Sequence, residues 1–309
     1  MTLQVVILII SIIALYFGAE LALDAAEKVG YYFGFSPLAI GLVLVGFGTS
    51  LPEFFVSQIA CLRGESEIAL GNIIGSNIAN LFLILGISGL ITPLALMQKA
   101  IKRQLKIHLV LTILLSAVII FYRVNMMTSI LLFGFFSFFL WDIFNQMKKE
   151  NKEKTPKEEE KEINFLTFVK LIFGFYLLYI GGEYLVSSGT ELGKLLNIPT
   201  YVISAVFVAF GTSFPELVTA LIACLKGKDS DLITGNIIGS NIFNVAFVMG
   251  SIGFYDISIK QNFMMEVIGL GFASLFLLGL VYLKKNFNKL GGGVFLGVYT
   301  FIVYQWSLN

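Results

Sequence analysis

A carboxylate one residue after a proline, set inside an apolar run, occurs twice in this chain in the same surroundings. Residues 47–53 read FGTSLPE and are followed by GNIIGSNI at 71–78; residues 210–216 read FGTSFPE and are followed by GNIIGSNI at 235–242. Residues 16–64 align with residues 179–227 without a gap at a constant offset of 163, which pairs Glu20 with Glu183, Glu53 with Glu216 and Cys61 with Cys224. One extra residue in the next turn shifts the offset to 164 for the second motif. Duplication accounts for this pattern, and the fold has to hold two copies of one unit against each other.

The solvent of that fold follows from composition. Of 309 residues, 57% are hydrophobic and 13% charged, a balance that no soluble core requires. Several runs approach or exceed the roughly 18 to 20 apolar residues that cross a bilayer. They are continuous rather than alternating, which excludes an outer-membrane barrel. The chain therefore reads as an all-α, multi-pass protein of the cell membrane. A net charge of +1, with the charges in loops, provides no basic surface for nucleic acid. The first apolar run, residues 3–26, is long and has no basic residue before it, so it reads as a span and not as a cleaved leader.

Apolar runs and breakers predict ten transmembrane helices: residues 3–27, 36–62, 68–91, 104–122, 126–147, 163–190, 199–225, 231–255, 259–283 and 291–308. Residues 1–147 then form a first five-helix repeat, 148–162 a charged cytoplasmic linker (KKENKEKTPKEEEKE), and 163–309 a second repeat. An odd number of spans per repeat inverts the second copy relative to the first. With the N-terminus outside, sixteen Lys and Arg residues fall in cytoplasmic loops and four in outer loops. That bias places both termini outside. Cys61 and Cys224 then lie towards opposite faces, too far apart for a disulfide, and read as packing residues.

Pro52 cannot donate to the carbonyl of Gly48, and Pro215 cannot donate to that of Gly211, so both helices must open there. Carbonyls freed in hydrocarbon persist only where protein or a polar cavity meets them. Thr49, Ser50 and Glu53 share a helix face with the opened backbone, as do Thr212, Ser213 and Glu216. In the following span Asn72, Ser76 and Asn80 recur every four residues, matched by Asn236, Ser240 and Asn244. Gly71 with Gly75, and Gly235 with Gly239, have the spacing that lets a helix approach a neighbour closely. Carboxylates, amides, hydroxyls and carbonyls are oxygen ligands suited to hard cations such as calcium and sodium. One histidine, His108, expected near the cytoplasmic loop after the third span, makes a zinc or transition-metal centre a poor fit. Two glutamates neutralise one divalent cation or admit monovalent cations in turn. Mutually exclusive occupancy of this kind suits antiport, and the composition also fits a channel.

These paired motifs resemble the alpha repeats of the sodium/calcium exchanger family within the cation/calcium antiporter superfamily, over both halves and all ten spans. The resemblance implies that Glu53 and Glu216 bind both calcium and sodium, helped by the backbone carbonyls of Thr49 and Thr212. It further implies one sodium site from Ser50, Ser76 and the carbonyl of Gly46, a mirror site from Ser213, Ser240 and the carbonyl of Ala209, and a middle completed by Asn80 and Asn244. Spans one and six would slide to expose the site to either side. Asn244 stands where the archaeal exchanger of known fold and the potassium-dependent branch carry an aspartate, which argues against potassium cotransport. The animal-type calcium-sensing insert is absent from the sequence. No cofactor and no enzymatic activity are implied; calcium and sodium are cargo, and since one chain supplies both copies a monomer suffices.

Other readings are a proton/calcium antiporter, a cation channel, and an intramembrane hydrolase using the glutamates as acid and base. Glu20 and Glu183 lack a breaker or hydroxyl cluster and are expected to tether spans one and six to their neighbours. Asp24 and Glu266 have no counterparts and read as structural.

Overall fold

The computed structural model describes residues 2–96, 99–121, 123–153, 163–196 and 211–308. Ten helices fall within them: α1 (Thr2–Tyr32), α2 (Pro37–Leu62), α3 (Ser66–Ile91), α4 (Lys99–Ile120), α5 (Met126–Glu153), α6 (Phe165–Leu195), α7 (Phe214–Leu225), α8 (Ser230–Tyr255), α9 (Met264–Tyr282) and α10 (Lys289–Leu308). Eight are long and apolar enough to cross a membrane; residues 199–210 of the expected seventh span lie outside the described residues, α7 is the helix described from that span, and α10 runs for 20 residues.

Burial sorts the helices into layers. In α3 and α8, 78% and 83% of the most apolar window is buried, against 28% in α1, α5 and α6. The two GNIIGSNI helices form the centre, and α1, α5 and α6 present side chains such as Ile9, Phe17, Trp141, Phe165 and Ile172 outwards, as a lipid-facing surface requires. Cys61 and Cys224 are buried free thiols.

Glycine contacts give the relative direction of the halves. A Cβ on Gly18 would lie 2.9 Å from Leu178 N, and one on Gly181 would lie 3.1 Å from Ser11 O. Later residues of α1 thus meet earlier residues of α6, so these equivalent helices pack antiparallel. Conversely, Gly41 abuts Leu232 and Asn236 while Gly46 abuts Gly239 and Ser240, so α2 of the first repeat runs parallel to α8 of the second. Both relations are those of inverted repeats. The α2–α8 seam tolerates no side chain at Gly239, whose Cβ would sit 2.3 Å from Leu42 O. Gly239→Ala is expected to push the helices apart, destabilise the protein by about 1–3 kcal/mol and displace Ser240; a lowered thermal midpoint in detergent checks this.

Several boundaries differ from expectation. α5 continues to Glu153, because Lys148–Glu153 holds residues that favour helix, and α4 begins at Lys99, whose charges sit at the membrane edge. Arg123–Val124 (β1) pairs antiparallel with Ile257–Ser258 (β2), a two-residue exception to an all-α chain. Arg123 Nε and Nη2 donate to Asp256 at 2.8 and 2.6 Å beside it, and this bond holds the Asp256 carboxyl below its ordinary range. His108 is buried within α4, away from any loop. Its Nδ1 lies 2.9 Å from Ser274 Oγ and its Nε2 lies 3.4 Å from the Asn241 amide. The Asn241 amide also donates to Asn77 O at 3.3 Å, so this chain of bonds ties α4 and α9 to the crossing of α3 and α8.

Candidate functional site

Both proline-carrying helices break at a serine. Ser50 and Ser213 share φ −88° and ψ 6°, and each is followed by a helical segment with Pro52 or Pro215 in its first turn. A proline there costs little, since the first-turn N–H groups have no partner within the helix. The same first turns carry Glu53 and Glu216 at the positive end of the helix dipole. Both glutamates are fully buried.

The following helices widen where the duplicated asparagines sit. Ala79–Ile84 in α3 and Phe243–Met249 in α8 are π-helical, with Asn80 and Asn244 each in the first turn of the wide segment. A third π-helical segment, Ile40–Val45, lies in α2 just before Gly46. Such turns break the regular i→i−4 pattern and concentrate at functional sites.

Hydrogen bonds join the halves across this centre. Ser50 Oγ, from the first repeat, donates to Glu216 Oε1 of the second at 3.0 Å. Glu53 follows Ser50 by three residues in the first turn of the same helical segment, and both glutamates are buried. The two carboxylates therefore share one buried region. On one side Thr49 Oγ1 lies 3.3 Å from Ser240 Oγ and 3.4 Å from Asn236 Oδ1, and Ser240 Oγ donates to Gly46 O at 3.3 Å. On the other side Ser76 Oγ lies 3.2 Å from Thr212 Oγ1, which donates to Asn72 Oδ1 at 2.8 Å.

This sorting regroups the expected residues. Gly46 meets Ser240 and Thr49, not Ser76; Ser76 meets Thr212. Each cluster mixes the repeats because α2 packs on α8 rather than on its own successor alone. Ala209 lies outside the described residues. Asn72 and Asn236, recognised as part of a polar stripe, prove to be brackets. Asn72 Nδ2 donates to Glu53 O at 3.1 Å and Ser57 Oγ at 3.0 Å, and Asn236 Nδ2 donates to Thr219 Oγ1 at 3.1 Å. Gly235 and Gly239 pack tightly on α2, whereas Gly71 and Gly75 meet nothing within 4 Å among the described residues.

Polar atoms without partners mark the centre. Among the described residues both carboxylate oxygens of Glu53, Oε2 of Glu216, Oγ of Ser213, and the amide groups of Asn80 and Asn244 are buried and make no hydrogen bond. Six unpaired oxygens, three of them on the two carboxylates, in a region where an unmet charge is costly, fit a dehydrated hard cation. Among the described residues no three His, Cys, Asp or Glu side chains are grouped to hold a metal ion, and the charged groups of this region are the two glutamates.

Among the described residues a cavity opens on one side. A cavity of about 1040 Å³ reaches Asn72, Ser76 and Thr212 and extends past Glu183 to Gln261, Asn262 and Glu266. The Thr49–Ser240 side is shut by the α2–α8 seam. Glu183 is exposed and lines the cavity, and among the described residues it makes no hydrogen bond or ion pair of the kind expected of a tether. Its counterpart Glu20 pairs with Lys226 at the end of α7 and accepts from Tyr16 at 3.2 Å. Asp24 pairs with Lys228.

Residues 3–144 and 166–306 match the sequence profile described as sodium/calcium exchanger protein. The chain is 30% identical over 307 residues to the sodium/calcium exchanger MaX1 of Methanosarcina acetivorans, covering 84% of this chain and 85% of that one. It is 31% identical over 260 residues to the inner membrane protein YrbG of Escherichia coli, covering 81% and 79%. Its structure superposes on the sodium-calcium exchanger NCX_Mj, soaked with zero sodium and calcium, with a TM-score of 0.84, 27% identity and 99% of both chains covered. The match spans both repeats and the site between them: this chain belongs to the sodium/calcium exchanger family.

Proposed function

We propose that the chain exchanges sodium for calcium across the cell membrane by alternating access, with Glu53 and Glu216 as the shared charge of one midplane site. The observation that carries this reading is the pair of buried, mirror-related carboxylates joined across the repeats through Ser50. Two negative charges match one calcium ion; sodium ions taking the same oxygens exclude it. Exclusion at one site couples the two fluxes, which a continuous pore would not do.

The neutral oxygens have distinct parts in this reading. The hydroxyls of Thr49 and Thr212 are engaged with Val45 O, Ser240, Asn72 and Ser76, which leaves the backbone carbonyls of these threonines as their contribution to an ion. Ser213, Asn80 and Asn244 hold free oxygens. Ser50, Ser76, Ser240 and Gly46 lie one bond further into the flanking clusters, within reach of a sodium ion displaced from the centre. Asn244 contributes an oxygen without charge, which limits the site to two negative groups.

α1 and α6 suit the moving part. Gly174 and Gly18 bring their backbones into contact, so they form one unit. That unit leans on α2 and α7 through small contacts such as Gly182 against Phe214 and Pro215. The described state opens towards the α8–α9 loop, which the basic-residue distribution places outside. The hydrolase alternative lacks a base beside a nucleophile, since His108 is committed to Ser274 and Asn241. In proteoliposomes at clamped voltage, calcium-45 uptake is expected to require an imposed sodium gradient. Uptake driven by a pH gradient without sodium would establish proton exchange instead, and saturation-free flux without a counter-ion would establish a channel.

A further inference from the structure

Equivalent side chains of the two repeats are in different situations. Glu20 of α1 forms an ion pair with Lys226, in the turn that joins α7 to α8. The offset of 163 that relates the repeats takes Glu20 to Glu183 and Arg63 to Lys226. The mirror pair is therefore Glu183 of α6 with Arg63, in the turn between α2 and α3. It too has opposite charges, and it is not made: both side chains belong to exposed residues and form no ion pair among the described residues. Beside the formed pair, Lys228 Nζ lies 3.0 Å from Asp24 Oδ1 and 2.6 Å from Glu27 Oε2, both on α1. The residues of α6 that match Asp24 and Glu27 are Ser187 and Thr190, which carry no charge.

We propose that Glu20–Lys226 and Glu183–Arg63 are alternating latches: each fastens the α1–α6 unit to the rest of the bundle at one face of the membrane, and one opens as the other closes. This rests on the exchange reading. Alternating access in inverted repeats moves one bundle against the other, and pseudo-symmetry then gives each half in one state the arrangement that its mate has in the opposite state. A contact made on one side only is thus a mark of the state. Each acid named here lies on the α1–α6 unit and each base on a turn of the bundle it leans on, so the two parts attract one another at both faces. Exposed ion pairs are weak, which suits contacts that must break in every cycle. The two pairs of Lys228 have no mirror, so they favour the described state over the opposite one.

Paired cysteines read both latches without requiring transport. In a background of Cys61→Ala and Cys224→Ala, one reporter carries Glu20→Cys with Lys226→Cys and the other Glu183→Cys with Arg63→Cys. A short bifunctional thiol reagent then measures how often each pair meets. Both reporters are expected to cross-link, the first faster than the second. Lys228→Ala is expected to raise the ratio of the second rate to the first by about two- to ten-fold, and high salt to remove that effect. In the second reporter Lys226→Glu is expected to speed cross-linking, and Glu20→Lys added to it to bring the rate back, because the swapped charges pair again. A second reporter that never cross-links would overturn the proposal. So would rates that rise together in Lys228→Ala, since both faces would then be loosened alike, or a charge swap that fails to restore. Opposite shifts in a protein without sodium-driven uptake would uphold the latches and overturn exchange; intact uptake with unshifted rates would overturn the latches alone.

Discussion

Glu53→Gln or Glu216→Gln abolishes sodium-driven calcium uptake while leaving membrane insertion intact. Each substitution preserves shape and hydrogen-bonding capacity and removes one of the two charges that the site offers a divalent ion. Loss of one partner from a buried charge pair costs about 3–5 kcal/mol, which corresponds to roughly a hundred-fold to several thousand-fold in affinity. Glu216 keeps the Ser50 hydrogen bond after substitution, whereas Glu53 has no such support among the described residues. Both variants are nonetheless expected to fail, because calcium needs both charges at once. The measurement is calcium-45 uptake into vesicles, with extraction as a monodisperse species as the control for folding. Retained transport in both variants would remove the charge logic of the site.

Much of this arrangement was legible in the chain because it was written twice. Duplication assigned Glu53 to Glu216 and Ser76 to Ser240, and the odd span number implied the inversion that the antiparallel α1–α6 pair displays. Pro52 and Pro215 marked the helix breaks, although the broken residues are Ser50 and Ser213, two positions earlier. The π-helical segments at Asn80 and Asn244 left no trace: the 3.6-residue period runs through them without a breaker. The mixed hydroxyl clusters were equally hidden. They depend on α2 seating against α8 of the other repeat, and pairing between distant helices has no local signal. The bond from the Trp306 indole to Glu266 was hidden for a related reason, because it joins two helices forty residues apart.

Withdrawing calcium and sodium together is expected to destabilise the wild-type protein, and the same withdrawal should leave the double variant Glu53→Gln, Glu216→Gln unaffected. The reason lies in the buried oxygens that no protein donor meets among the described residues: both of Glu53 and one of Glu216. An ion bound to the folded site alone contributes about 2.7 kcal/mol when present at a hundred times its Kd. Glutamine side chains carry no charge to be met, so the ion-free double variant should melt above the ion-free wild-type protein. Sodium must act through the same oxygens as calcium. Raising sodium should therefore raise the calcium concentration at which calcium begins to add stability, and the two ions together should stabilise by less than the sum of their separate effects. Thermal unfolding in detergent, followed across a matrix of the two ions, measures each of these without requiring transport. Equal stabilisation of the double variant would place calcium elsewhere. Additive stabilisation by the two ions would mean that they do not exclude one another, and obligatory exchange would lose its physical basis.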